Sequence, residues 1–75
     1  MKVEWKDEDG GKTYTATVGA FSLSVYPRSG NWYVDRGENV VADGTNLERA
    51  AAQRAAERAL TKLIEDAVKA KEIAG

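Results

Sequence analysis

The chain has 75 residues, which suits one domain with a single core, because compact domains rarely fall below about 50 residues and chains divide only beyond roughly 250. Its 11 Lys and Arg against 12 Asp and Glu give a net charge of −1, which argues against a protein held on nucleic acid mainly by its phosphates and against a wholesale DNA mimic. The absence of Cys and His excludes disulfides, thiol nucleophiles, imidazole bases and the usual structural zinc sites.

Hydropathy gives no sign of a membrane segment. Apolar residues make up 43% of the chain, and no apolar run approaches the ~20 residues of a membrane span. The first residues, 1–6, also lack the apolar region of a signal peptide. We therefore expect a cytoplasmic protein with no membrane partner.

The two parts of the chain differ in composition. Residues 1–45 contain every aromatic residue, the proline and all glycines except Gly75, in short runs that alternate with a period of two. Residues 46–74 have no Gly or Pro and are rich in strong helix formers. The sequence predicts an α+β fold in a single domain, 1–75, with a curved antiparallel sheet of four or five strands (1–45) and one long C-terminal helix (46–73) packed on one face.

Alternation and turn residues place the strands. The predicted strands are residues 2–6, 12–18, 21–26, 31–35 and a short one over 40–42. Gly19 is expected to form a bulge or a tight bend. The strand phase predicts one polar face, opposite the helix, that is available to water or a partner. Its members are Thr13, Thr15, Thr17, Ser22, Ser24, Tyr26 and Tyr33.

The helix is expected to begin at a cap and to bury one apolar stripe. Thr45 and Glu48 have the spacing of a capping box, and Asn46 is the alternative cap. The alanines at 51–59 leave room for the rings of Trp5, Phe21 and Trp32. The predicted stripe is Leu47, Ala51, Ala55, Ala56, Ala59, Leu60, Leu63, Ile64, Ala67 and Val68.

The acidic and glycine-rich segments do not have the pattern of a catalytic, metal or cofactor site. Residues 7–9 are consecutive acids without the alternating ligands of a calcium loop, and 10–13 lack P-loop spacing. Asp35, Glu38 and Asp43 have no accompanying nucleophile. We interpret all of these as turn residues and expect a non-enzymatic protein without a metal or cofactor.

Two groups of residues are candidates for binding. Tyr26, Arg28, Tyr33 and Arg36 lie in and beside one predicted hairpin, and Tyr and Arg commonly anchor protein interfaces. The equally simple interpretation is that the two tyrosines only pack across strands.

The second group is a basic ridge on the helix, Arg54, Arg58 and Lys62, spaced four residues apart. Its acidic neighbours Glu57, Glu65 and Asp66 are placed for i,i+3 and i,i+4 pairing. The spacing therefore favours a salt-bridged solvent face over a phosphate-binding ridge.

Several segments resemble known protein classes. Tyr14–Val18 after the Asp9–Gly11 turn, with Gly44-Thr45 and Leu47–Ala50 opening a helix, resembles the partial RNase-H-like domain of HicB-type antitoxins. More broadly, the strand series followed by an alanine-rich helix resembles small phage and prophage accessory proteins of the anti-CRISPR type. That resemblance implies a cofactor-free, phage-encoded inhibitor that occludes a CRISPR-Cas effector or nuclease.

The function we expect is therefore a small protein-binding module that inhibits its partner by steric occlusion in a bacterial host cell. The alternative is a nucleic-acid-binding or HicB-like antitoxin or regulatory domain. Uncovered sheet edges also leave a homodimer open.

Overall fold

The computed structural model describes residues 3–74 of the chain, and the side chains of residues 3–69. Five strands and one helix follow each other in sequence: β1 (Lys6–Glu8), β2 (Thr13–Val18), β3 (Phe21–Tyr26), β4 (Asn31–Arg36), β5 (Asn39–Thr45) and α1 (Arg49–Ala74). Each strand pairs antiparallel with the next, in the order β1-β2-β3-β4-β5. The predicted α+β fold class is confirmed.

The first strand differs from its predicted position. Pairing with β2 covers Lys6–Glu8 and leaves out residues 3–5 of the predicted strand 2–6, whose first residue, Lys2, lies outside the described residues. The cause is the turn that follows, where Asp9, Gly10 and Gly11 all adopt positive φ, so that the chain reverses later than expected. The Asp7 carboxylate accepts a hydrogen bond from the Gly11 amide across this turn.

The last strand is longer than predicted. It extends over Asn39–Thr45 instead of 40–42 and pairs along the whole of β4. The register shifts between Val34 and Asp35, which pair with Ala42 and Val40 and leave Val41 as the extra residue of a bulge. Val40 and Val41 are exposed on this edge strand.

The helix and one face of the sheet enclose the core. The buried apolar side chains are Ala16, Leu23, Val25 and Val34 from the sheet with Ala52, Ala56 and Leu60 from α1. Trp5, Phe21 and Trp32 are half-buried and pack against this cluster. The strand phase predicted from alternation is confirmed, because every buried sheet residue lies on the helix-facing side.

The predicted helical stripe is wrong at both ends. Leu47 precedes the helix and is 80% exposed, and Val68 is 51% exposed. A helix of 26 residues is about 39 Å long. A six-residue strand spans only about 20 Å, so the end of α1 extends past the sheet. Ala52, which the stripe omits, is fully buried instead.

The predicted capping box is not formed, and Asn46 bonds just ahead of the helix. The first helical bond runs from the Ala52 amide to the Glu48 carbonyl and makes Glu48 the cap by position. The Asn46 Oδ1 accepts the Glu48 amide at 3.1 Å. The Thr45 hydroxyl donates instead to Asn31 Oδ1, at 3.0 Å, which ties β5 to β4. The Asn46 amide donates to the Gly30 carbonyl at 2.8 Å and so joins the start of the helix to the β3–β4 turn.

Candidate protein-binding face

The side of the sheet opposite α1, here called the open face, is polar and aromatic. Strand register and alternation place its members there, on all five strands. They are Lys6, Glu8, Thr13, Thr15, Thr17, Ser22, Ser24, Tyr26, Asn31, Tyr33, Asp35, Val40, Asp43 and Thr45. The predicted polar face is therefore confirmed, and it includes acidic residues that the sequence interpretation assigned to turns.

Tyr26 on β3 and Tyr33 on β4 are in contact on this face, towards the turn that joins the two strands. Tyr33 on β4 pairs with Ser24 on β3, and Tyr26 lies two residues after Ser24 on β3. The two tyrosine rings are therefore diagonal neighbours across the strand pair. Their centroids are 5.8 Å apart with an interplanar angle of 74°, an edge-to-face contact. Tyr26 is 41% exposed and Tyr33 is half-buried. The two rings stabilise each other by this contact and still present aromatic surface to solvent.

Two carboxylates flank Tyr33. Asp43 on β5 pairs directly with Tyr33, and Asp35 lies two residues along β4 on the same face. Asp43 is exposed and Asp35 is half-buried. Asp43 falls outside the predicted last strand, 40–42, and the sequence therefore gives it no place on this face. Asp35 ends the predicted strand 31–35 in the same alternation as Tyr33, so its place on the open face agrees with that prediction, although its interpretation as a turn residue is wrong.

The two predicted arginines are not among the strand residues of the open face. Arg28 is exposed in the turn between β3 and β4. Arg36 pairs with Phe21 on the helix-facing side, with its guanidinium carbon 5.9 Å from the centre of the Phe21 ring. Tyr33 and Arg36 are three residues apart on one strand, so their side chains project from opposite faces. The structure brings Tyr26 and Tyr33 together and leaves Arg36 outside the open face.

Arg36 instead borders a groove beside the overhanging end of α1. Phe21, Ile64 and Val68 provide most of its apolar wall, with Ala20 and Ala67 completing it. The cavity is open to solvent and has a volume of about 270 Å³. Phe21 therefore faces the Ile64 end of the helix rather than the alanine segment where its ring was expected.

A second, polar depression lies at the β1 edge of the open face. It has a volume of about 330 Å³, and its polar wall comes from Glu4, Lys6, Glu8, Thr15 and Thr17. The depression contains the carboxylates of Glu4 and Glu8. The Glu8 carboxylate accepts a hydrogen bond from the Thr15 hydroxyl at 3.0 Å. Across the residues that the structure describes, no group of three or more acidic side chains is arranged to hold a metal ion.

The helical basic ridge is exposed. Arg54, Arg58 and Lys62 all project to solvent, two residues away from the buried positions at 52, 56 and 60. Arg49, one turn earlier, is held against the sheet. Its Nη1 donates to the Tyr14 hydroxyl at 2.7 Å, and its guanidinium carbon is 4.7 Å from the centre of the Tyr14 ring.

Comparison with known proteins gives no assignment. No protein-family model, curated protein or solved structure matches the chain. In the helical part that the structure describes, no segment has the length and hydropathy to cross a membrane.

Proposed function

We propose that this protein is a non-enzymatic protein-binding module that inhibits its partner by steric occlusion, with the open face as its contact surface. The observation that carries the proposal is the Tyr26–Tyr33 pair, an edge-to-face contact on a sheet face that the helix does not cover. Large aromatic side chains on an uncovered face offer contact area at little cost in conformational entropy.

The sheet architecture supports this proposal. The helix packs on β3, β4 and β5 from one side of the sheet, and no element packs on the opposite side within the residues described. The edge-to-face contact stabilises the sheet of the monomer, and the exposed part of Tyr26 in addition offers an anchor to an interface. Tyr26 and Tyr33 therefore remain in the proposed contact patch, Arg28 flanks it from the turn, and Arg36 lies on the other side of the sheet.

The partner class follows from the resemblance to small phage accessory proteins. We propose a CRISPR-Cas effector or nuclease of the bacterial host, with the encounter in the cytoplasm. Occlusion needs only a stable fold and one complementary surface, and a 75-residue domain without a cofactor can supply both.

The test is affinity capture from a bacterial lysate that contains CRISPR effector complexes, followed by mass spectrometry and a binding titration of any recovered subunit. We expect a Tyr26→Ala, Tyr33→Ala variant to lose at least about 30-fold in affinity, because each anchor contributes about 1–2 kcal/mol or more. An Arg54→Ala, Arg58→Ala variant on the helix is the matched control and should bind as the parent does. Binding within twofold of the parent in the tyrosine variant would reject the open face as the contact surface.

A further inference from the structure

We propose, on the basis of the proposed function, that the open face binds a cationic side chain of its partner, specifically an arginine seated on the tyrosine pair. The residues concerned are Tyr26, Tyr33, Asp35 and Asp43, here called the tyrosine–aspartate cluster.

The ring geometry suits a cation. A cation is attracted to the face of an aromatic ring within about 6 Å of its centre. The Tyr26 and Tyr33 rings are 5.8 Å apart and inclined at 74°, so they form a corner with two differently oriented walls. The edge of one ring covers part of the face of the other, and Tyr26 is 41% exposed, so part of its side chain stays accessible from solvent.

The carboxylates add the complementary charge. Asp43 lies directly across from Tyr33, and Asp35 lies on the same face two residues away. A planar guanidinium can stack on a tyrosine and donate to a carboxylate at the same time, which a compact ammonium group does less well. This combination selects arginine over lysine, and the carboxylates repel the phosphates of nucleic acid.

The strand residues of the open face do not neutralise this cluster, and Arg28, exposed in the turn two residues after Tyr26, adds one positive charge beside it. Among the strand residues on that face, the one cation is Lys6 on β1. Lys6 is in the same cross-strand row as Tyr33, but two strands lie between them. With strands about 4.8 Å apart, their backbones are separated by roughly 14 Å, beyond the reach of a direct ion pair. Glu8 on β1 adds further negative charge to the face.

The experiment is an NMR titration of the ¹⁵N-labelled protein with a blocked peptide, acetyl-Gly-Arg-Gly-Arg-Gly-amide. The control peptide has citrulline in place of each arginine, which keeps the shape and removes the charge. We expect the arginine peptide to shift the amides of Tyr33, Asp35 and Asp43, and the citrulline peptide to give shifts at least fivefold smaller.

Two protein variants locate the effect. Asp35→Asn, Asp43→Asn should reduce the affinity for the arginine peptide at least fivefold. Glu65→Gln, Asp66→Asn removes the same charge from exposed helix positions and should bind as the parent does. Equal shifts with both peptides, equal losses in both variants, or shifts centred on the acidic turn at Asp7–Asp9 would overturn the inference.

The outcomes also separate this inference from the proposed function. If the tyrosine double variant loses its protein partner while Asp35→Asn, Asp43→Asn retains it, the open face is the interface and the arginine assignment is wrong. If the arginine peptide binds as expected but the tyrosine variant still captures its protein partner, the cation site stands and the proposed contact surface is rejected.

Discussion

The indole of Trp32 lies directly over Gly44, its cross-strand partner on β5. A Cβ placed on Gly44 would stand 2.5 Å from the Trp32 Cζ2 atom, far inside van der Waals contact. The ring fills the space that a side chain at position 44 would take and shields the backbone of an edge strand. Trp32 is thereby held half-buried against the core.

Gly44→Ala should destabilise the fold by about 1–3 kcal/mol, because the added methyl displaces the Trp32 ring. Urea denaturation measures the change. In a Trp32→Val background the same substitution should cost less than about 0.5 kcal/mol, since the obstructing ring is gone. An equal cost in both backgrounds would show that the ring contact is not the cause.

Gly30→Ala should cost more than Gly37→Ala. Both glycines have positive φ, +79° and +63°, so both substitutions carry the same left-handed strain of about 1–2 kcal/mol. A Cβ at Gly30 would also lie 2.7 Å from the Asn46 carbonyl oxygen, whereas the space at Gly37 is open. We expect a difference of at least about 1 kcal/mol in unfolding free energy, and similar values for the two variants would contradict the packing of the β3–β4 turn on the helix start.

Leu60→Ala and Val68→Ala separate the part of α1 that packs on the sheet from its overhanging end. Leu60 is fully buried, so its truncation should cost about 2–5 kcal/mol. Val68 is 51% exposed, so its truncation should cost less than about 0.5 kcal/mol. Thermal or urea unfolding gives both numbers. A loss at Val68 comparable to that at Leu60 would mean that the helix end is covered in solution.

Asn46→Ala should destabilise the protein by about 1 kcal/mol, because it removes the side-chain acceptor for the Glu48 amide. Glu48→Ala should have little effect, since Thr45 bonds to Asn31 and does not complete a capping box with Glu48. Chemical denaturation of the two variants checks the assignment. A larger loss for Glu48→Ala would restore the capping box predicted from the sequence.

The basic ridge allows a direct test of the nucleic-acid alternative. We expect no binding to single- or double-stranded DNA at 150 mM salt by fluorescence anisotropy, because three exposed cations supply too few phosphate contacts. If Arg54, Arg58 and Lys62 did hold duplex DNA, log K would fall with log salt with a slope of about −3. Such a slope, lost in an Arg54→Gln, Arg58→Gln variant, would favour the alternative.

Much of the fold follows from the local pattern of the chain. The period-two alternation of Phe21–Tyr26 determines which residues of β3 share a face, and that relation needs no tertiary information. The Gly- and Pro-free segment from residue 46 likewise determines one helix. The open face was predictable for the same reason, as the polar phase of those strands.

The tertiary structure alone decided which residues meet. The positive φ angles at the β1–β2 turn place β1 at Lys6–Glu8 instead of the predicted 2–6. Pairing along β4 makes β5 longer than the predicted 40–42, so that it includes Asp43. That register places Asp43 beside Tyr33. The length of the sheet, a property of the assembled strands, decided where the apolar stripe of α1 ceases to be buried.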